Sequence, residues 1–183
     1  MFNTAQKKEL LQLARKTIEA NFSREKFRAT TDDPQLLKPY GVFVTLTSDG
    51  ELRGCIGFIK AVEPLWKAVQ TMAIQAAFRD PRFYPVKEHE LEAISIEISV
   101  LSEMMPVTDI EEITVGRDGL FINAGYASGL LLPQVATEYG WDRDTFLVHT
   151  CRKAGLPDDA YRDTKNKLWR FEAEIFNEKT NNA

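Results

Sequence analysis

A chain of 183 residues, 44% of them hydrophobic, is long enough for one sizeable core or for two lobes sharing a chain, and is expected to be one folding unit rather than two independent domains. With 23 basic against 27 acidic residues and a pI near 5.3, it is not built for general nucleic-acid binding or for attachment to an anionic membrane. Its two cysteines, Cys55 and Cys151, fit a reducing compartment, no signal pattern opens the chain and no apolar run could span a bilayer, so the expected location is the cytoplasm.

Leu10, Leu13, Ala14, Ile18 and Phe22 recur at helical spacing among Lys and Glu, which predicts an amphipathic helix from Thr4 to about Phe22. Residues 23–39 mix charges, threonines and Asp32-Asp33-Pro34 and read as a linker with solvated charges. A hairpin is expected over 42–59, because the Asp49-Gly50 pair suits a tight type I′ turn. With those two residues as the loop, Leu46 lies opposite Arg53, Val44 opposite Cys55 and Val42 opposite Gly57, so Arg53 and Cys55 point the same way. Glycine weakens a strand interior, so Gly54 and Gly57 suggest a bulge, or a close approach by another backbone or a ligand. Two readings of this stretch stay open. Cys55 is either a small core hydrophobe with Arg53 snorkelling at the edge, or a thiol served by a fixed cation.

Glu63-Pro64 opens a second helix with Leu65, Val69, Met72, Ala73 and Ala76 on its buried face and Trp66 beside them; Asp80-Pro81 ends it. The loop Arg79-Asp80-Pro81-Arg82-Phe83-Tyr84-Pro85 can present a fixed polar constellation. Alternatively, Asp80 pairs with Arg79 or Arg82 to order a surface loop over Phe83 and Tyr84 in the core. Strict alternation over 94–100 predicts a strand with Ser95, Glu97 and Ser99 on its second face, where Glu97 is either a solvated charge or a partner for a cation such as Arg53. Short strands are expected at 120–123 and 130–132, with turns at Arg117-Asp118-Gly119 and 125–129. Helices follow from Pro133 through Tyr139, and from an Asp142 N-cap to a Gly155 C-cap with Leu147, Cys151 and Ala154 on one face, which makes Cys151 a core residue. A helical turn at 157–161, a closing strand at 168–176 and a frayed end from Glu178 complete the chain.

Several chemistries are excluded. There is no Gly-x-x-x-x-Gly-Lys-Ser/Thr phosphate loop, and the Gly54 and Gly57 spacing is no dinucleotide fingerprint. Ser128 stands one position too late in its glycine-flanked run for a nucleophile elbow. His149 and Cys151 diverge by about 200° on a helix, which disfavours joint ligation, so no metal site is expected and His149 lines a surface or cleft.

Leu52-Arg53-Gly54-Cys55-Ile56-Gly57, Ala76-Ala77-Phe78-Arg79-Asp80-Pro81-Arg82-Phe83, Ile96-Glu97-Ile98-Ser99-Val100-Leu101, Val115-Gly116-Arg117-Asp118-Gly119-Leu120, Gly129-Leu130-Leu131-Leu132-Pro133-Gln134-Val135-Ala136 and Cys151-Arg152-Lys153-Ala154-Gly155-Leu156 together resemble the AMMECR family. That family is named for a human chromosomal-region product linked to Alport syndrome, midface hypoplasia and elliptocytosis. The likeness spans nearly the whole chain, and its Leu-Leu-Pro-Gln pattern is similar to the prokaryotic branch, whose members are found with a Memo-like protein and a radical enzyme using S-adenosylmethionine.

The resemblance implies an α+β fold with an antiparallel sheet and flanking helices in two unequal lobes, the larger about 1–103 and 133–183, the smaller about 104–132, with the six-residue motif near the cleft between them. It implies no reaction and no cofactor. Two functional expectations stand beside it. The first is an enzyme, or an accessory subunit of one, acting on a small molecule or a modified protein segment in the interlobe cleft. Cys55 would be nucleophile or redox thiol, His149 a second catalytic candidate, Arg53 an anion anchor, and Asp80, Arg82 and Glu97 substrate-binding neighbours. The second is a non-catalytic module that docks a partner protein through the same surface, with a hot spot at 79–84. RNA binding is disfavoured by the acidic balance.

Overall fold

In the computed structural model, which describes residues 1–23, 27 and 29–181, helix α1 (Thr4–Glu19) starts on a capping box. Asn3 Oδ1 accepts the Gln6 N–H at 2.9 Å, and Gln6 Oε1 accepts the Asn3 N–H at 2.9 Å. Strands β1 (Gly41–Ser48) and β2 (Glu51–Phe58) flank Asp49 (φ 52°) and Gly50 (φ 87°), the two positive-φ residues that a type I′ turn requires. Helix α2 (Leu65–Phe78) has Pro64 at its N-cap, one position earlier than expected. Then come β3 (Ile94–Leu101), β4 (Met105–Pro106), β5 (Asp118–Asn123), β6 (Ser128–Leu131), α3 (Pro133–Glu138), α4 (Arg143–Lys153), β7 (Lys167–Asn177) and the short α5 (Glu178–Asn181).

The chain divides into two compact units. The first holds Met1–Leu101 and the chain from Glu174. Its sheet places β1 between β2 and β3, antiparallel to both. The inward residues Val42, Val44 and Leu46 of β1 and Ile96 and Ile98 of β3 are fully buried with Leu10, Ala14 and Ile18 of α1 and Val69 and Ala73 of α2. At about 1.5–3 kcal/mol for each large aliphatic side chain, this stripe-on-sheet contact is the main stabilisation of the unit. The chain end is tied down where fraying was expected. Arg15 forms an ion pair with Glu178 through Nε and Nη2, donates to the carbonyls of Leu91 and Ile94 at 2.7 Å, and Glu178 Oε2 accepts the Ile96 N–H at 2.9 Å. Asn182 and Ala183, also in the expected frayed end, lie outside the described residues.

The 23–39 stretch is likewise more than a solvated linker. Asp33 accepts from Gln6 Nε2 at 2.9 Å and from the Gln35 N–H at 2.8 Å, and Leu36 is fully buried; Arg24, Glu25, Lys26 and Arg28 lie outside the described residues.

The second unit is Ser102–Ala173. Here β5 pairs antiparallel with β6 and β7, and β4 with β7. Residues 133–173, expected with the larger lobe, belong to this unit. Phe146 and Leu147 of α4 cluster with Leu120 and Ile113, and Cys151 clusters with Ile122, Leu156 and Ala160, so the apolar face of α4 is spent on β5. The turn expected at 117–119 lies earlier: the Asp118 N–H already bonds the Thr114 carbonyl at 2.9 Å, Gly116 takes φ 87°, and Asp118 and Gly119 are strand residues.

Candidate functional site around Cys55

The hairpin register differs from the expected one by a single residue. Leu46 pairs with Gly54 and Thr45 with Cys55, but Thr47 pairs with Leu52, so Arg53 is an extra residue in a β-bulge. A one-residue slip turns a strand's side chains to the other face. Cys55 therefore stands opposite Thr45 on the outer face, and Gly54 takes the core-facing place opposite Leu46. Glycine is required there: a Cβ would lie 2.3 Å from the Ala76 carbonyl oxygen of α2. At Gly57 a Cβ would lie 2.3 Å from the Phe43 ring. Both close approaches come from the protein itself.

Beyond the end of α2, the Asp80-Pro81 turn carries a carboxylate only 1% exposed back to β2. Asp80 Oδ2 accepts the Cys55 N–H at 2.9 Å and Arg82 Nη2 at 2.7 Å, while Oδ1 accepts the Arg82 N–H at 3.1 Å and Nε at 3.0 Å. Arg82 Nη2 also donates to the Cys55 carbonyl at 3.0 Å. Each member of the ion pair thus holds one backbone group of Cys55. The Arg82 hydrogen bond, then the Cys55 and Arg82 backbone donors, keep the Asp80 carboxyl well below the usual carboxylate range against the opposing effect of burial. The Arg82 guanidinium is pushed up, by Asp80 first and also by the Cys55 side chain beside it. Thr45 Oγ1 donates to Cys55 Sγ at 3.3 Å, and Cys55 itself is half-buried.

The cation bonded to Cys55, through its carbonyl, is accordingly Arg82 rather than Arg53. Arg53 Nε and Nη2 bond the two Glu90 oxygens at 2.8 and 3.2 Å, and Nη1 donates to the Tyr84 carbonyl at 2.9 Å. That fork, with the Lys87 N–H on Glu90 Oε2 at 2.8 Å, holds Glu90 below its ordinary value, Arg53 being the first cause. Arg53 does not pair with Glu97; Glu97 is the cross-strand neighbour of Thr45 on the outer face, with Asn177 Nδ2 at 3.5 Å from its carboxylate. Tyr84, which one of the two readings of this loop put in the core, is 88% exposed, and Val86 takes the buried place instead.

His149 lies in the second unit, its ring stacked on Trp141 at 3.8 Å and 10°, with Tyr139 on Trp141 at 5.0 Å. Cys151 is fully buried in α4, and burial pushes its thiol up. Among the described residues, no group of three or more His, Cys, Asp or Glu side chains converges as metal ligands, and no helix is long and apolar enough to cross a membrane. Sequence reading missed Thr45 and Glu90. Thr45 was findable once a bulge was placed in β2, whereas nothing local marks Glu90, which is 37 residues from Arg53.

The molecule is thus an α+β protein that presents a half-buried thiol beside a buried-carboxylate–arginine pair on an antiparallel sheet. The AMMECR1 family model matches residues 11–176, and the chain belongs to that family. It is 47% identical over 178 residues to a protein of Methanothermobacter thermautotrophicus, covering 92% of each chain, and 46% identical over 181 residues to Protein PF1979 of Pyrococcus furiosus, covering 92% of this chain and 86% of that one. The crystal structure of the uncharacterized protein PH0010 from Pyrococcus horikoshii is similar with a TM-score of 0.86 at 43% identity, over 93% of this chain and 90% of the other.

Proposed function

We propose that this protein is a thiol-dependent enzyme, or the accessory subunit of one, in which Cys55 acts on a small molecule or a modified protein segment. The observation that carries the reading is the half-buried Cys55 with the Thr45 hydroxyl 3.3 Å from its Sγ and the Arg82 guanidinium 3.0 Å from its carbonyl oxygen, held there by an almost completely buried Asp80. The thiolate is the reactive form of cysteine, and a fixed neighbouring cation favours it. Arg82, half exposed, also serves an anionic group on the substrate; Asp80 is a positioning residue, and Arg53 with Glu90 anchors the Tyr84 backbone. Glu97, one strand beyond Thr45, is the carboxylate of the same face. The radical S-adenosylmethionine and Memo-like proteins of the prokaryotic branch are the partners to be tried with it.

The test is iodoacetamide labelling of the folded protein, read by mass spectrometry of each cysteine peptide, with a denatured control to equalise access. The thiolate displaces iodide, so the rate reports thiolate and access together. Cys55 is expected to label faster than Cys151, and Arg82→Ala to slow it more than Arg82→Lys does. A Cys55 that resists labelling until the chain unfolds is a core residue and sinks the reading. A second reading, a non-catalytic docking module, is favoured by the exposed Tyr84, which lines a groove of about 640 Å³ with Phe22, Pro85, Val86, Lys87 and Glu88. It takes over if Cys55 proves inert.

A further inference from the structure

The strip from Tyr84 to Glu88, in the first unit, carries a protrusion and a recess side by side. Tyr84 is 88% exposed, yet its backbone is fixed. Its carbonyl accepts Arg53 Nη1 at 2.9 Å, Pro85 follows it, and the Val86 N–H bonds the Ala77 carbonyl at 2.8 Å with the Val86 side chain buried. Arg53 is itself forked on Glu90, so the loop carries the ring on a rigid mount. The groove of about 640 Å³ beside it has Phe22 among its walls, and that ring is set edge-on against Phe78 at 5.6 Å and 64°. A solvated aromatic ring on a rigid backbone adds little to the stability of its own chain. The same preorganisation lowers the cost of association, and tyrosines so presented are frequent interface anchors. The strip ends in Lys87 and Glu88, both exposed, and among the described residues neither side chain makes an ion pair.

We propose that the occupant of this groove is a second copy of the chain, in a two-fold dimer where each Tyr84 enters the groove of the other copy and Lys87 of each faces Glu88 of the other. The inference takes up the groove of the docking reading and names its partner; it does not require Cys55 to be inert. A two-fold contact sets the same patch on both sides, so the patch must be its own complement. A protrusion next to a recess meets that condition, because the operation that seats one ring in the opposite groove seats the other ring as well. Charge meets it only when a residue faces a different residue of opposite sign, since facing its own copy brings like charges together. Adjacent Lys87 and Glu88 supply such a pattern, and the two-fold axis makes the pair twice. The carboxylate next along, Glu90, is already neutralised by Arg53. The strip is therefore neutral on a chain of net charge -4, and two copies meet there without the repulsion that the rest of the surface imposes. The entering ring packs on Phe22 and Pro85, and the contact extends beyond the groove, since a stable interface buries about 800 Å² per partner.

The experiment is sedimentation equilibrium of the intact chain from low micromolar to millimolar concentration, with a reductant present so that no disulfide joins the copies. A monomer–dimer equilibrium is expected. Tyr84→Ala, which keeps the carbonyl that Arg53 grips, is expected to raise the dissociation constant about thirtyfold or more, as the loss of an interface anchor does. Lys87→Glu alone and Glu88→Lys alone each set like charges across the axis and are expected to weaken the dimer about fivefold, and the double reversal to restore it. Circular dichroism and urea melts show that each variant is folded. A chain that stays monomeric throughout overturns the proposal, and it leaves the Cys55 reading to its own labelling test. A dimer indifferent to Tyr84→Ala forms through another face and overturns it equally. Single reversals that weaken a dimer which the double reversal does not restore overturn the two-fold pairing of Lys87 with Glu88.

Discussion

Replacing Asp80 by Asn tests the arrangement at its hidden centre. Asn keeps one oxygen in the place of Oδ1, which accepts the Arg82 N–H and Nε, but sets an NH2 group where Oδ2 accepts the Cys55 N–H and Arg82 Nη2, so donors meet donors. A hydrogen bond to a charged group contributes about 1.5–3 kcal/mol. The Cys55 bond counts in full because Asp80 is only 1% exposed; the Arg82 share is discounted, since a guanidinium 51% exposed can turn to water. The expected loss is about 2–4 kcal/mol, which at a urea slope of about 2 kcal/mol/M lowers the midpoint by about 1–2 M. The folded carboxyl is depressed below its unfolded value of about 3.9, so its contribution is present above that value and is lost as pH falls through the folded one. The gap between wild type and Asp80→Asn must therefore be full at pH 7 and close only in strong acid. A midpoint shift corresponding to less than about 1 kcal/mol at pH 7, or a gap that widens on acidification, would refute the claim that Asp80 is an ionised buried clamp.

Gly54→Ala is expected to cost about 1–3 kcal/mol or more in the same melts, because its Cβ would stand 2.3 Å from the Ala76 carbonyl and backbone must move. At Gly50, where the space is open, only the positive φ of 87° is penalised, by about 1–2 kcal/mol; a Gly54→Ala cost smaller than that of Gly50→Ala would contradict the packing account. Arg15→Ala should raise amide exchange at Ile96 as well as in α5, since Glu178 then loses its cation while still facing the Ile96 N–H; exchange confined to the chain end would show that the tie is superficial.

The sequence reading succeeded where local chemistry decides. Asp49-Gly50 can be little other than a tight hairpin turn, alternation over 94–100 has one period, and Asp142 and the Gly155 left-handed residue (φ 70°) mark helix ends by hydrogen bonds made within a few residues. It failed where a long-range contact outweighs a local rule. Counting back from the turn paired Val44 with Cys55, and only the approach of α2 to Gly54 shows that the strand must carry one residue more. The Arg53 assignment inherited that error: its partner is Glu90, in a 3-10 turn whose place in space no spacing in the chain announces. Of the two readings of the 79–85 loop, the one with Tyr84 in the core fails, because Val86, whose N–H bonds the Ala77 carbonyl at 2.8 Å, is the residue the loop returns inward.

That single bulge links the fold to the chemistry. Without Arg53 as an extra residue, Cys55 would face inward beside Val44 and Leu46, where burial raises a thiol's pKa and denies it a substrate, as the fully buried Cys151 illustrates in the second unit. With the extra residue, the core side of β2 is filled by a glycine small enough for α2 to pack against, and the thiol turns to the face that Thr45 and Arg82 serve. The Arg53 fork on Glu90 and the Asp80 bond to the Cys55 N–H then grip the bulged strand on either side of Gly54, so the register cannot relax to the regular pairing without breaking both. A strand that has given up regular pairing needs such restraints, and one of them, Asp80, is also the residue that holds Arg82 beside Cys55.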